Sequence, residues 1–88
     1  MKLFIIHVGY YDHEVGMYEL HSQFLIVAPD AKIAKTIAME KPAFKNKKMH
    51  IDGIQEINQI DDYTLTLVPS SQSFSENKIY THREIKEL

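Results

Sequence analysis

The 88-residue chain contains no cysteine. Disulfides and thiolate metal sites are therefore excluded, and cysteine usage gives no indication of redox compartment. A long apolar run is missing too, since nothing approaches the roughly 18 residues needed to span a bilayer. The short run near the start, "LFIIHV", is interrupted by His7 and followed by no small-residue cleavage site, so the amino terminus does not read as a signal peptide. A soluble cytoplasmic protein without a membrane partner is the expectation. The chain also lacks a strong excess of either charge. Its formal net charge of -2 argues against a generic polyanion binder. What is present is ordinary for a globular domain, 44% hydrophobic and 25% charged, and far from a disordered composition. A chain of this length makes one domain and buries only about 60% of its unfolded surface, so its core is small and oligomerisation commonly supports it.

Leu3 to Val8 is apolar apart from His7 and suits a strand buried on both faces. "GYYDHEVG", from Gly9 to Gly16, reads as a polar loop. Tyr18 to Val27 is a second strand, with Leu20, Ser22, Phe24 and Ile26 on one face and Glu19, His21, Gln23, Leu25 and Val27 on the other. The two make an antiparallel hairpin without a tight turn. Asp30 is a helix N-cap, and Ile33, Ala34, Ile37 and Ala38 form an apolar stripe at helical spacing. Pro42 stops that helix, leaving "AFKNKK" as a basic loop. A third strand starts at Met49, bulged near Gly53, and a turn at Asp61 and Asp62 leads to a fourth in which Tyr63, Leu65 and Leu67 alternate with Thr64 and Thr66. Residues 1–69 form the expected domain. Residues 70–88 comprise a Ser-rich linker, "SSQSFSEN", and the segment "THREIKEL", whose Thr81 and Glu84 form a capping-box pattern. That segment is either a short helix docking through Ile85 and Leu88 or a frayed tail.

The expected fold is α+β: a four-stranded, mainly antiparallel sheet in the order strand-strand-helix-strand-strand, with one helix on one face and a C-terminal tail. A single helix covers one face only. Because the first strand is apolar on both sides, the other face needs either the tail or a second copy of the chain, and the second copy is favoured.

Polar residues recur at strand spacing. Glu19 and His21 share one strand face, as do His50 and Asp52 on another strand. If the strand ends are neighbours, two carboxylates and two imidazoles converge. His and carboxylate donors suit zinc or another divalent ion, so these four residues are the metal candidates. The same residues also suit a structural network of His–carboxylate hydrogen bonds, a small-molecule pocket, or plain exposure to water. Neither Glu-x-His nor His-x-Asp is a specific motif, and without a His-Glu-x-x-His or triad context no catalytic residue is assigned. His7, in an apolar strand, reads as a near-core histidine. The Tyr- and acid-rich loop from Tyr10 to Glu14 reads as solvated, with a lid over the Glu19/His21 end as its functional alternative. Six of the ten basic residues, Lys32, Lys35, Lys41, Lys45, Lys47 and Lys48, cluster together. They suit a solvated helix face and its exit loop better than a nucleic-acid surface, since that stretch has no arginine and only Phe44 for stacking.

A Gly after the first strand, then "ELH", a capped helix, "HID" and "IDDYTLTLV" together resemble the uncharacterised bacterial family catalogued as domain of unknown function 1543. The resemblance takes in roughly Met1 to Pro69 and falls on Glu19, His21, His50, Asp52, Asp61 and Tyr63. The chain departs from the pattern at Ser22, where an acid is expected, at Gly53-Ile54, where an aromatic is expected, and at Asp62, which replaces the turn glycine. Asp tolerates the left-handed region better than most residues. The family often carries two copies of the domain in one chain, which implies that a single copy pairs with itself. It implies no activity. The functional expectation is thus a non-catalytic, homo-oligomeric binding or interaction module with a Glu19/His21/His50/Asp52 cluster. No cofactor is expected beyond a divalent metal, and the partner is the chain itself or a small ligand. The alternative is a metal- or small-ligand-dependent enzyme built on the same cluster.

Overall fold

The computed structural model describes residues 1–72 and 77–88. Its sheet is built on one central strand, β1 (Lys2–Tyr10), which pairs antiparallel with β2 (Leu20–Ala28) on one side and β3 (His50–Ile57) on the other. β1 is longer than the apolar pattern suggests. Gly9 and Tyr10 belong to the ladder, opposite His21 and Leu20, so the loop begins after Tyr10.

Alternation along β1 separates two faces. Phe4, Ile6 and Val8 are fully buried and, with Ile26, Ala28, Ala34 and Ala38, make the core. They lie beneath α1 (Ala31–Glu40), whose first turn is held by Asp30, its Oδ1 accepting from the Ile33 amide at 2.9 Å. Ala34 and Ala38 let the helix approach the sheet closely, while Ile37 is partly buried and Ile33 remains exposed.

α1 ends before Pro42, as expected, but the "AFKNKK" stretch is not all loop. α2 (Pro42–Asn46) restarts the helix with Pro42 in its first turn, where a missing N–H costs nothing, and its Phe44 packs against the core. Lys48 then turns the chain into β3 with a left-handed φ of 49°.

β3 contains the expected bulge. Ile51 is opposite Val8 and Gly53 is opposite His7, so Asp52 is the extra, unpaired residue. The bulge shifts the face alternation by one. Ile51 and Ile54 consequently lie on the α1 side although they are three apart, and this produces the ambiguous period in the sequence.

The fourth strand does not join the sheet. β4 (Gln59–Ile60) follows β3 after Asn58, and β5 (Tyr63–Thr64) folds back on β4 as a separate two-stranded ladder. One further bond, from the Leu65 amide to the Asn58 carbonyl at 2.9 Å, ends the pairing. The left-handed turn residue is Asp61, with φ 52°, and not Asp62. The architecture is therefore α+β with an antiparallel three-stranded sheet and a small hairpin, in place of one four-stranded sheet.

At the C-terminus, α3 (His82–Lys86) carries the full capping box, with the Glu84 amide donating to Thr81 Oγ1 at 3.2 Å and the Thr81 amide donating to Glu84 Oε1 at 3.3 Å. It buries no residue. Ile85 and Leu88 are exposed, so the helix forms but does not dock through them. The middle of the Ser-rich linker, residues 73–76, lies outside the described residues. Among the described residues no helix is long and apolar enough to cross a membrane.

Candidate functional site

The sheet face opposite α1 has two halves. Leu3, Ile5, Leu25, Val27 and Ile57 share its aliphatic end, where register places Leu3 between Val27 and Ile57 and Ile5 beside Leu25. Leu25 is 69% exposed and Val27 47%, so this end is substantially uncovered. Toward the other end, His7 faces Gln23, whose Nε2 lies 3.3 Å from His7 Nδ1. His7 is half-buried on this open face, at the border between the two halves.

Beyond His7 the four sequence-derived candidates meet. Glu19 precedes β2 and His21 lies within it, whereas His50 and Asp52 are on β3. These strands are not neighbours. β1 runs between them, so their backbones are about 10 Å apart, twice the usual strand spacing. The side chains nevertheless touch, because the β1 residue opposite both His21 and His50 is Gly9. A Cβ at Gly9 would collide with Glu19 Oε1, and would lie 2.6 Å from His50 Nε2 and 2.7 Å from Asp52 Oδ2. The glycine is thus the floor on which the cluster rests. The sequence reading places Gly9 at the mouth of a loop and so misses its part. The available signal was a glycine directly following a strand pattern, which often marks close approach of other groups.

Within the cluster, His50 Nε2 is 2.6 Å from Glu19 Oε1 and 3.1 Å from Asp52 Oδ1. One ring N–H serves both acceptors, with the shorter contact to Glu19. His21 lies on the outer side, its Nδ1 3.4 Å from Asp52 Oδ2 and its Nε2 3.8 Å from Glu19 Oε2. Glu19, His50 and Asp52 each offer one donor atom within 4.8 Å of the others. Among the described residues, no lysine or arginine forms an ion pair with either carboxylate, so the two imidazoles are their nearest polar partners. Beside the cluster is an open depression of about 390 Å³ lined by His7, Val8, His21, Ser22, Gln23 and Asp52. That volume lies in the range of small-molecule sites.

Other candidates lie apart from this arrangement. The Tyr10–Glu14 segment is tied toward α2, with Lys47 Nζ 3.7 Å from Asp12 Oδ2 and 5.5 Å from the Tyr10 ring centre. These contacts hold it on the α1 side of the sheet and not over the cluster. Lys41 lies over Phe24 at 5.8 Å. Two of the clustered lysines therefore have local partners.

The family described as Domain of Unknown Function (DUF1543) matches residues 16–67. The matched span contains Glu19, His21, His50 and Asp52, but starts after β1 and so excludes Gly9. No match to the chain was found among curated proteins or among solved structures.

Proposed function

The chain belongs to the DUF1543 family, described only as a domain of unknown function, and we propose that it acts as a non-catalytic, homo-oligomeric binding module. The observation that carries this reading is the open sheet face. α1 covers one side of β1, while the other side presents Leu25 and Val27 largely to solvent beside the half-buried Leu3, Ile5 and Ile57. The chain's own α3 does not cover them, since it buries none of its residues, and Leu67, Val68 and Pro69 border the face only at Val27. A second copy is the economical cover. Three strands about 4.8 Å apart, two of nine residues and one of eight, at about 3.3 Å per residue give a face of roughly 30 by 14 Å. Two such faces total roughly 840 Å², below the ~1,200–2,000 Å² of standard interfaces, so the dimer is weak, reversible and concentration-dependent. In this arrangement the Glu19/His21/His50/Asp52 cluster sits at one end of the paired faces and presents its donors to a small ligand.

One observation favours the rival reading, a ligand-dependent enzyme on the same residues: the depression beside His21 and Asp52 has room for a substrate. It is open, and among the described residues no hydrogen bond joins its one hydroxyl, Ser22, to His7 or His21, which leaves binding as the better-supported function. Native mass spectrometry of untagged protein purified without chelator, run over a range of concentrations, tests the reading. A dimer that becomes monomeric in Leu25→Lys is expected. A wild-type chain that stays monomeric at the highest concentration overturns the pairing.

A further inference from the structure

We infer that Glu19, His50 and Asp52 form a three-donor site for a divalent cation of the zinc class, built over Gly9. The inference rests on the cluster and is independent of the pairing proposed for the aliphatic half of the sheet.

Four features of the molecule converge on it. The first is composition. One imidazole nitrogen and two carboxylate oxygens, with no thiolate in the chain, make a borderline donor set that favours zinc-class ions over magnesium or calcium, which prefer all-oxygen surroundings. The second is charge. Two carboxylates are drawn to one point with, among the described residues, no lysine or arginine paired to either, and the rings of His50 and His21 each lie against both of them. A dication satisfies two converging carboxylates more completely than imidazole contacts do.

The third feature is the backbone. The bulge leaves Asp52 unpaired in the ladder and brings it to the same side as His50, at 3.1 Å. The central strand contributes no side chain at this position, because Gly9 has none. Donors from two strands that are not neighbours therefore reach each other across it. The fourth feature is distance. Metal–ligand bonds of about 2.0–2.2 Å in a tetrahedron separate adjacent donors by roughly 3.3 Å. The observed 2.6 and 3.1 Å from His50 Nε2 are slightly shorter than that. A cation among them asks the two His50 contacts to lengthen by a fraction of an ångström, with the third pair already within 4.8 Å, a change within reach of side-chain rotation at a half-exposed site.

Three protein donors leave a fourth position, and it opens beside the depression lined by His21, Gln23 and His7. His21 acts as a positioning residue in this scheme. Its ring lies against the outer oxygens of both carboxylates, at 3.4 and 3.8 Å, and orients them toward His50.

Calorimetric titration of the full chain with zinc chloride in a non-chelating buffer tests the inference, with folding of each variant checked by circular dichroism. One zinc per chain is expected, with magnesium and calcium binding far more weakly. His50→Gln is expected to abolish saturable binding. His21→Ala, which keeps all three donors, should weaken it ~10–100-fold. Gly9→Ala is the sharpest variant. It removes no donor, and its methyl meets only side-chain ends that can swing away, so the fold persists while the donors disperse. His13→Ala, a histidine in the β1–β2 loop, should bind as wild type does. Absence of saturable zinc binding overturns the site, as does a Gly9→Ala chain that binds like wild type, which would reduce the uptake to scattered surface histidines. Magnesium binding as tight as zinc overturns the cation class. A monomer that binds zinc stoichiometrically leaves this inference standing and overturns only the pairing.

Discussion

Glu56 shows how a single exposed side chain in this molecule is controlled by its neighbours. It lies on the α1 side of β3, opposite Phe4. The Asn58 amide donates to its Oε2 at 2.7 Å, and the Lys2 ammonium lies 3.4 Å away. Both favour the carboxylate, with Asn58 the stronger influence, and together they hold the Glu56 carboxyl below the ordinary glutamate value against a smaller desolvation effect. A lowered folded-state pKa means that the fold prefers the ionised form. The resulting stabilisation is present above the unfolded-state pKa and is lost as pH falls through the folded one. Carbon-detected NMR titration should find Glu56 ionising at lower pH than an ordinary glutamate, with Asn58→Ala raising it more than Lys2→Ala does. A larger effect from Lys2→Ala would show that the ion pair dominates. Gly9 illustrates the opposite case, a residue that matters through what it lacks. Its part depends on which residues lie across the ladder from it, and no local pattern in the sequence states that.

The element on which the site depends is the bulge of β3. Asp52 is the extra residue, flanked by Ile51 opposite Val8 and Gly53 opposite His7. Deleting Asp52 should therefore close the bulge into a regular ladder and leave Ile51, Gly53 and Ile54 on their present faces. Substitution removes only the carboxylate, whereas deletion tests the register. Amide NMR of the deletion variant should show a folded protein whose shift changes are confined to the β3 bulge and the residues opposite it in β1. Global loss of dispersion would mean that the bulge is needed for folding itself. The bulge also explains how far the elements were legible. Strand alternation and the Asp30 cap follow from local chemistry, so β1, β2 and α1 could be read directly. The His50/Asp52 and Glu19/His21 pairs could be read as well, because a strand repeats every two residues. Their meeting could not, since it depends on β1 lying between β2 and β3 and on glycine at the crossing point. Of the Tyr63–Leu67 alternation only Tyr63–Thr64 forms a strand, and it pairs with β4 and not with the sheet, because pattern does not name a partner. α2 was hidden by Pro42, which ends one helix and is equally suited to begin the next.

For the molecule as a whole, the division of labour between residues 1–69 and the remainder can be tested by truncation. The core is drawn entirely from β1, β2 and α1, with partly buried support from Phe44 in α2 and from Met49 and Ile51. Leu67, Val68 and Pro69 line an apolar groove with Met1 and Val27, so the chain remains associated with the sheet edge up to that point. α3 is different. Its capping box and its Arg83–Glu87 pair, 3.8 Å apart, are internal to the segment, and its side chains bury nothing. Exposed pairs of this kind contribute little to stability. A chain ending at Pro69 should therefore unfold in urea within about 0.5 kcal/mol of the full chain, in the range of surface changes that touch no core. Zinc uptake should be unchanged in it, since Gly9, Glu19, His50 and Asp52 all remain. If the open face pairs with a second copy through its own strands, the truncated chain should also dimerise with the same concentration dependence. A truncated chain that folds and binds zinc but stays monomeric would give a different answer: the exposed Ile79, Tyr80, Ile85 and Leu88 would then be what covers the sheet face of a neighbouring copy. The dimer would persist in the full chain by exchange of tails, and the unpaired aliphatic face would be the receptor for them.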